Sequence, residues 1–254
     1  MKIFLTNDDG YYSSGIQTLA DLLATAGHEV RAVAPLEEHS GAGHSLSLHK
    51  TLRYRAVEFP HGVTAYALNG TPADCVKFGV MELFNGERFD LVISGINNVL
   101  NIGTDIVYSG TFNAAMEGTI CGIPSIAVST RSKDDDFLYP AEFIVKNLEH
   151  FIVPSLKDST LNINIPYNKA DKNKGVCITT LGEVRYSDAY RVVGEDADGG
   201  KEYLLYGNPV WEHPNEDSCD FIKTKEGYIT ITPILIHAAD KKAMRQLSAK
   251  DIRP

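Results

Sequence analysis

The amino-acid sequence predicts an α/β fold: a three-layer, mostly parallel sheet covered by helices on both faces, followed by a β-rich C-terminal arm. Two observations predict it. Short β-rich runs alternate with stretches whose apolar residues recur at helical spacing, and the alternation continues to Ile165. Beyond Pro166 the helical spacing thins out, leaving strand-like runs with few helices between them.

Lys2 to Thr6 reads as the first strand. Ile16, Leu19, Leu22 and Leu23 then share one helical face until Gly27 stops the helix. Glu29 to Ala34 is a second strand ended by Pro35. Leu52 to Val57 and Thr64 to Leu68 form a predicted β-hairpin inserted beside the sheet, and Pro72 to Leu83 a helix. Leu91 to Ser94 is a short β-rich run closed by Gly95. A helix over about Phe112 to Cys121 leads through Gly122 and Pro124 into a strand at Ser125 to Val128. Tyr139 to His150 carries Phe143, Ile144 and Leu148 on one helical face, and Leu161 to Ile165 is another strand.

Val176 to Thr180, Tyr203 to Tyr206 and Tyr228 to Ile231 read as strands, with Asp196 to Gly200 an acidic, turn-rich interruption. A last helix is expected near Lys241 to Leu247. These elements divide the chain into a core over residues 1–180, with the hairpin insertion near 50–68, and a β-rich arm over 181–226. Residues 227–254 form a strand and helix that return to the core or to a neighbouring subunit.

The 254 residues suffice for one main domain. Apolar residues at 43% and charged residues at 22% are ordinary for a soluble protein, and no stretch approaches the roughly 20 apolar residues that cross a bilayer. The apolar run at the N-terminus ends after Leu5 and two acids follow, so a cytoplasmic location is expected. Cys75, Cys121, Cys177 and Cys219 are far apart and form no C-x-x-C pair, which argues against a zinc site or a disulfide framework. A net charge of −9 argues against nucleic-acid polymers as partners and leaves small phosphorylated molecules as substrates.

In an open parallel sheet the ligand crevice lies beyond the carboxyl ends of the strands. Four polar segments fall there: Asn7-Asp8-Asp9-Gly10, the run from Ser40 to Ser45, Gly95-Ile96-Asn97-Asn98, and Ser109-Gly110-Thr111. Adjacent carboxylates repel each other unless a cation or solvent compensates, so Asp8 and Asp9 point to a metal. Taken alone the dipeptide is also ordinary turn chemistry. Ser40 and Asn97 would complete an all-oxygen set suited to Mg²⁺, Mn²⁺ or Ca²⁺, although a Gly-rich turn and an Asx-turn account for each residue separately.

Ser109, Gly110 and Thr111 open a helix whose first N–H groups would favour a phosphate, with simple N-capping as the structural alternative. A metal beside an anion nest suits phosphate-ester chemistry. Asn69 and Thr71 lie in a segment where Thr71 serves first as an N-cap before Pro72 and second as a substrate contact. His44 is a candidate phosphate contact or proton donor, against the commoner role of a hydrogen-bonded surface histidine.

Together these segments resemble the SurE survival-protein family. The matching motifs are T-N-D-D-G from Thr6, S-G-A-G-H-S-L-S-L from Ser40, N-G-T-P-A-D-C-V from Asn69, S-G-I-N from Ser94 and Y-S-G-T from Tyr108. A-A-M-E-G from Ala114, L-N-I-N-I-P from Leu161 and G-Y-I-T-I-T-P from Gly227 extend the match over most of the chain. The resemblance implies a Rossmann-like, metal-dependent phosphomonoesterase acting on nucleoside 5′- and 3′-monophosphates, and in some members on short polyphosphate. It implies one divalent metal ion per subunit, Mg²⁺ or Mn²⁺, held by Asp8, Asp9, Ser40 and Asn97. It also implies a homodimer or homotetramer whose arm, here between about Glu183 and Phe221, reaches a neighbouring subunit.

Two positions depart from the family pattern: Val99 stands where a glycine is usual, and Asp198-Gly199-Gly200-Lys201 lacks the Pro-Arg-Gly-Arg character of the arm. Asp8 and Asn97 are the candidate catalytic residues. Asp8 would orient or deprotonate an attacking water, with a covalent aspartyl-phosphate as the alternative. A dinucleotide-dependent oxidoreductase would need a Gly-x-Gly-x-x-Gly turn where Asp8 and Asp9 stand. A nucleotide-binding module without turnover is the other reading.

Overall fold

A computed structural model describes residues 1–153, 157–183, 185–210, 218–236, 244, 245 and 248. Among the described residues, eleven strands and five α-helices follow in chain order: β1 (Lys2–Thr6), α1 (Ser14–Thr25), β2 (Glu29–Pro35), β3 (Tyr54–Val57), β4 (Thr64–Leu68), α2 (Pro72–Phe78), β5 (Leu91–Asn97) and α3 (Gly110–Ile120). After them come β6 (Ser125–Thr130), α4 (Leu138–Asn147), β7 (Ser159–Ile165), β8 (Val176–Ile178), β9 (Arg185–Glu195), β10 (Lys201–Val210), α5 (Asp220–Glu226) and β11 (Ile229–Leu235).

Nine strands form one sheet in the order β3-β4-β2-β1-β5-β6-β7-β11-β8. Every pairing from β4 to β7 is parallel. Strands in the middle of such a sheet are covered on both faces, so they read as continuous apolar runs: all seven residues of β5 and all six of β6 are buried. One face packs Ile16, Leu19 and Leu23 of α1 and Ile144 of α4 against Ile3, Leu5 and Ile93. The opposite face packs Val76 of α2 and Ala114 of α3 against Phe4, Val33 and Val92. The small residues of α3 let it lie close to the sheet, and a methyl group on Gly118 would stand 2.5 Å from Ser125 Oγ.

The expected α/β fold is therefore the observed one, with local differences. The segment expected as a hairpin beside the sheet lies within it, because β4 pairs in parallel with β2 and β3 adds an antiparallel edge. β9 was not expected; it pairs antiparallel with β10 as a two-stranded ribbon joined through Asp196–Gly200. Its alternation is masked by the exposure of both apolar and polar residues, Tyr190, Val192 and Val193 among them. α5 was also not expected, since its seven residues span only about two turns, too few for a periodic signal. The helix expected near 241–247 falls largely outside the described residues. Among the described residues no helix is long and apolar enough to cross a membrane, and the four cysteines are unpaired.

Candidate active site

β1 has β2 on one side and β5 on the other, so the crossovers diverge between β1 and β5 and leave a crevice at their carboxyl ends. Asp8 and Asp9 follow β1, and Asn97 ends β5. Both strands thus deliver polar residues to the same point. A cleft of about 1280 Å³ opens there, lined by Asp8, Asp9, Ser40, Asn97 and Ser109. The four proposed metal ligands and one of the phosphate-loop residues share this cleft despite lying up to 101 positions apart in sequence.

Asp8 is 4% exposed. Thr111 Oγ1 donates to its Oδ1 at 2.5 Å, and its backbone carbonyl accepts from His39 N at 2.8 Å, which ties the loop after β2 to the loop after β1. Gly110 has no room for a side chain, because a Cβ there would stand 2.7 Å from Asp8 Cβ. The start of α3 is therefore packed against the Asp8 carboxylate. Burial pushes the Asp8 carboxyl above its ordinary range, and the bonds from Thr111 oppose the rise. Asp9 is pushed up to about 7, by burial first and then by the charges of Asp8, Glu38 and Asp135. Two carboxylates held this way gain from a cation that replaces lost solvation and cancels their repulsion.

Asn97 Nδ2 donates to Val99 O at 2.6 Å, which fixes the amide plane and turns Oδ1 away from that bond. The following loop is anchored from below: Asn101 N donates to Asn164 Oδ1 at 2.9 Å, and Asn162 and Asn164 both donate to Asn101 O. Asp220, fully buried at the start of α5, accepts from Gly103 N at 2.9 Å and Gly182 N at 2.8 Å. Ser40 Oγ donates to Glu38 Oε1 at 2.6 Å. Among the described residues no three His, Cys, Asp or Glu side chains cluster as a metal site. A cation here would rest on two carboxylates, a hydroxyl and an amide oxygen, a hard-donor set that fits Mg²⁺ or Mn²⁺ better than zinc.

The remaining predicted residues divide between the cleft and its surroundings. Ser109 caps α3, accepting from Phe112 N at 3.0 Å, and also lines the cleft. Thr111 faces Asp8, as above. His44 is outside the cleft lining, with Nε2 2.8 Å from Glu117 Oε2, and Lys77 Nζ lies 2.7 Å from the other oxygen of Glu117. Burial pushes the Glu117 carboxyl up, but the bonds from His44 and Lys77 outweigh it and hold the group below its ordinary value. Asn69 Oδ1 accepts from Arg53 N at 2.6 Å, joining the segments beside β3 and β4. Thr71 caps α2 through a reciprocal pair with Asp74 and donates to Ser45 O at 2.6 Å. Neither lines the cleft.

Sequence reasoning missed three further carboxylates in the cleft, Glu38, Asp105 and Glu183. Glu38 had a signal, because it lies three residues beyond β2 in the loop where a ligand crevice is expected. Asp105 and Glu183 had none. With Asp8 and Asp9 they make five carboxylates, and the described lining contains no Lys or Arg.

A family model described as survival protein SurE matches residues 3–188. A protein named 5′-nucleotidase SurE from Caldanaerobacter subterraneus subsp. tengcongensis is 41% identical over 251 residues, covering 98% of this chain and 96% of its own. One of the same name from Gloeobacter violaceus is 45% identical over 238 residues, covering 92% and 89%. The crystal structure of the SurE protein from Aquifex aeolicus superposes with a TM-score of 0.81 at 34% identity, over 98% of both chains. The switch-point cleft, the loops that build it and these near full-length similarities lead to one conclusion: this chain belongs to the SurE survival-protein family.

Proposed function

We propose that this chain is a divalent-metal-dependent phosphomonoesterase that releases phosphate from nucleoside 5′-monophosphates, with 3′-monophosphates and short polyphosphate as further substrates. The observation that carries the metal requirement is the charge of the cleft. Five carboxylates with no basic side chain in the described lining would repel a phosphate dianion unless a cation neutralised them. The nucleotidase reading is supported by relatives that bear that name over almost their whole length.

In this reading Asp8, Asp9, Ser40 and Asn97 hold the metal. When bound, Mg²⁺ or Mn²⁺ supplies charge neutralisation and polarisation of a phosphoryl oxygen. Thr111 keeps the Asp8 carboxylate in one orientation, from which it aligns the attacking water and accepts its proton. Ser109 and the N–H of Gly110 at the start of α3 face the phosphate oxygens, the N–H groups of Thr111 and Phe112 being taken by Asp8 and by Ser109 Oγ. Asn97, held by Val99 O, keeps its amide oxygen turned to the ligand set. The β9–β10 ribbon exposes Tyr190, Val192, Tyr203 and Leu205, which supports its use as an arm in a homodimer or homotetramer.

The test is phosphate release from AMP, GMP and a chromogenic phosphomonoester, in chelator and with added Mn²⁺ or Mg²⁺. Activity is expected only with metal. Nucleotide binding without release under any metal would identify a binding module, and full activity in chelator would remove the metal from the mechanism.

A further inference from the structure

We propose that the chain carries a second ligand site, a basic cleft that binds a phosphorylated small molecule with an apolar or aromatic body. This cleft has a volume of about 740 Å³, within the ~300–1,000 Å³ of ordinary small-molecule sites. Arg131, Lys133, Lys169, Lys172 and Lys225 line it, against Asp134 as the one carboxylate of the described lining. On a chain of net charge −9 this concentrates five of its 24 Lys and Arg at one concavity. None of the five forms an ion pair among the described residues, so their charge is available to a ligand.

The floor is of opposite character. Leu100, Ile102 and Pro166 are buried beneath the cations, and Tyr167 and Phe221 add two rings. Lys225 Nζ already lies 5.9 Å from the centre of the Phe221 ring. A solvated lysine face lacks such a floor. Cations around an apolar, aromatic base are the complement of a molecule with phosphate groups at one end and a ring at the other.

The two clefts adjoin at the loop from Asn97 to Gly103, which contributes residues to both linings. Leu100 lines both. Their linings are nearly opposite in charge, five carboxylates on one side and five cations on the other, so a free polyanion is repelled from the first and drawn to the second. The basic site goes beyond the catalytic reading and stands whether or not the chain hydrolyses anything.

ADP serves as the probe, titrated calorimetrically into the full-length, metal-free protein in chelator at low ionic strength, where no cation bridges the nucleotide to the acidic catalytic cleft. One ADP per chain is expected, with affinity that falls as salt rises. Lys169 and Lys225 are exposed, so the double variant Lys169→Glu/Lys225→Glu should keep the wild-type melting temperature and lose roughly tenfold or more in affinity. Asp8→Asn should bind ADP as the wild type does. Inorganic phosphate, which cannot use the apolar floor, should bind about tenfold more weakly than ADP or worse. The site is overturned if wild-type protein binds no ADP, if the double variant binds it equally, or if Asp8→Asn abolishes binding. Phosphate binding as tight as ADP would overturn the assignment of an organic anion.

Discussion

Thr111→Val separates two roles for one hydroxyl. The residue is fully buried, and its Oγ1 donates to Asp8 Oδ1 at 2.5 Å, the short end of the range for a hydroxyl bonded to a carboxylate. Valine keeps the volume and the branched Cβ and removes only the donor. A hydrogen bond to a charged acceptor contributes about 1.5–3 kcal/mol net. The Thr111 backbone N–H still reaches Asp8 in the variant, so the lower figure applies, about 1.5 kcal/mol. At ~2–4 °C per kcal/mol for a chain of this size, the metal-free protein should melt about 3–6 °C lower. If Asp8 is a metal ligand, loss of the group that orients it should also weaken Mn²⁺ binding by roughly 10- to 100-fold. Thr111→Ser, which restores the donor, should recover both. Thermal melts in chelator, Mn²⁺ titration calorimetry and vanadate binding on the same preparations check the prediction. Unchanged melting and Mn²⁺ affinity with weakened vanadate binding would refute it, because the hydroxyl would then serve the anion and not Asp8.

Asp9, with its folded pKa raised to about 7, binds more protons folded than unfolded between its ordinary value and pH 7. The metal-free protein should therefore lose stability as pH rises across that window, and Asp9→Asn should flatten the loss in denaturant midpoints measured in chelator at pH 5 and 8. Glu117 has the opposite sign. Its depressed pKa means that its pairing with His44 and Lys77 stabilises the fold above about pH 4.5 and is lost as pH falls through the folded value, so Glu117→Gln should remove that acid-side slope. The cost of Glu117→Gln at pH 7 should be about 1–3 kcal/mol, below that of a fully buried pair because the Lys77 side chain is 44% exposed. Asp220→Ala leaves the N–H groups of Gly103 and Gly182 without their acceptor, at about 1–3 kcal/mol each; amide exchange should quicken at both glycines, and unchanged protection would show that Asp220 does not hold the loop.

The central strands and the crevice-facing loops were legible in the sequence because their physical causes are local. β1, β2, β5 and β6 are buried on both faces, so their apolar runs announce themselves, and polar residues directly after such runs must lie at the carboxyl edge of the sheet. Asp8, Asp9, Ser40 and Asn97 were found that way and Ser109 as the residue that opens a helix, and all five line one cleft. The short α5 and the exposed β9 have too few residues or too mixed an alternation to declare themselves.

Only the tertiary structure decided which groups meet. Thr111 bonds Asp8 from 103 positions away, Glu117 draws His44 out of the cleft from 73 positions away, and Asp220 reaches Gly103 across 117. Such pairings depend on how strand order folds distant loops onto one edge, and no window of sequence carries that information. The same holds for charge. The sequence shows a net −9, whereas packing separates it into a cleft of five carboxylates and, adjoining it at a single loop, a cleft of five cations, because side chains from remote segments share a surface only after the sheet has closed its order.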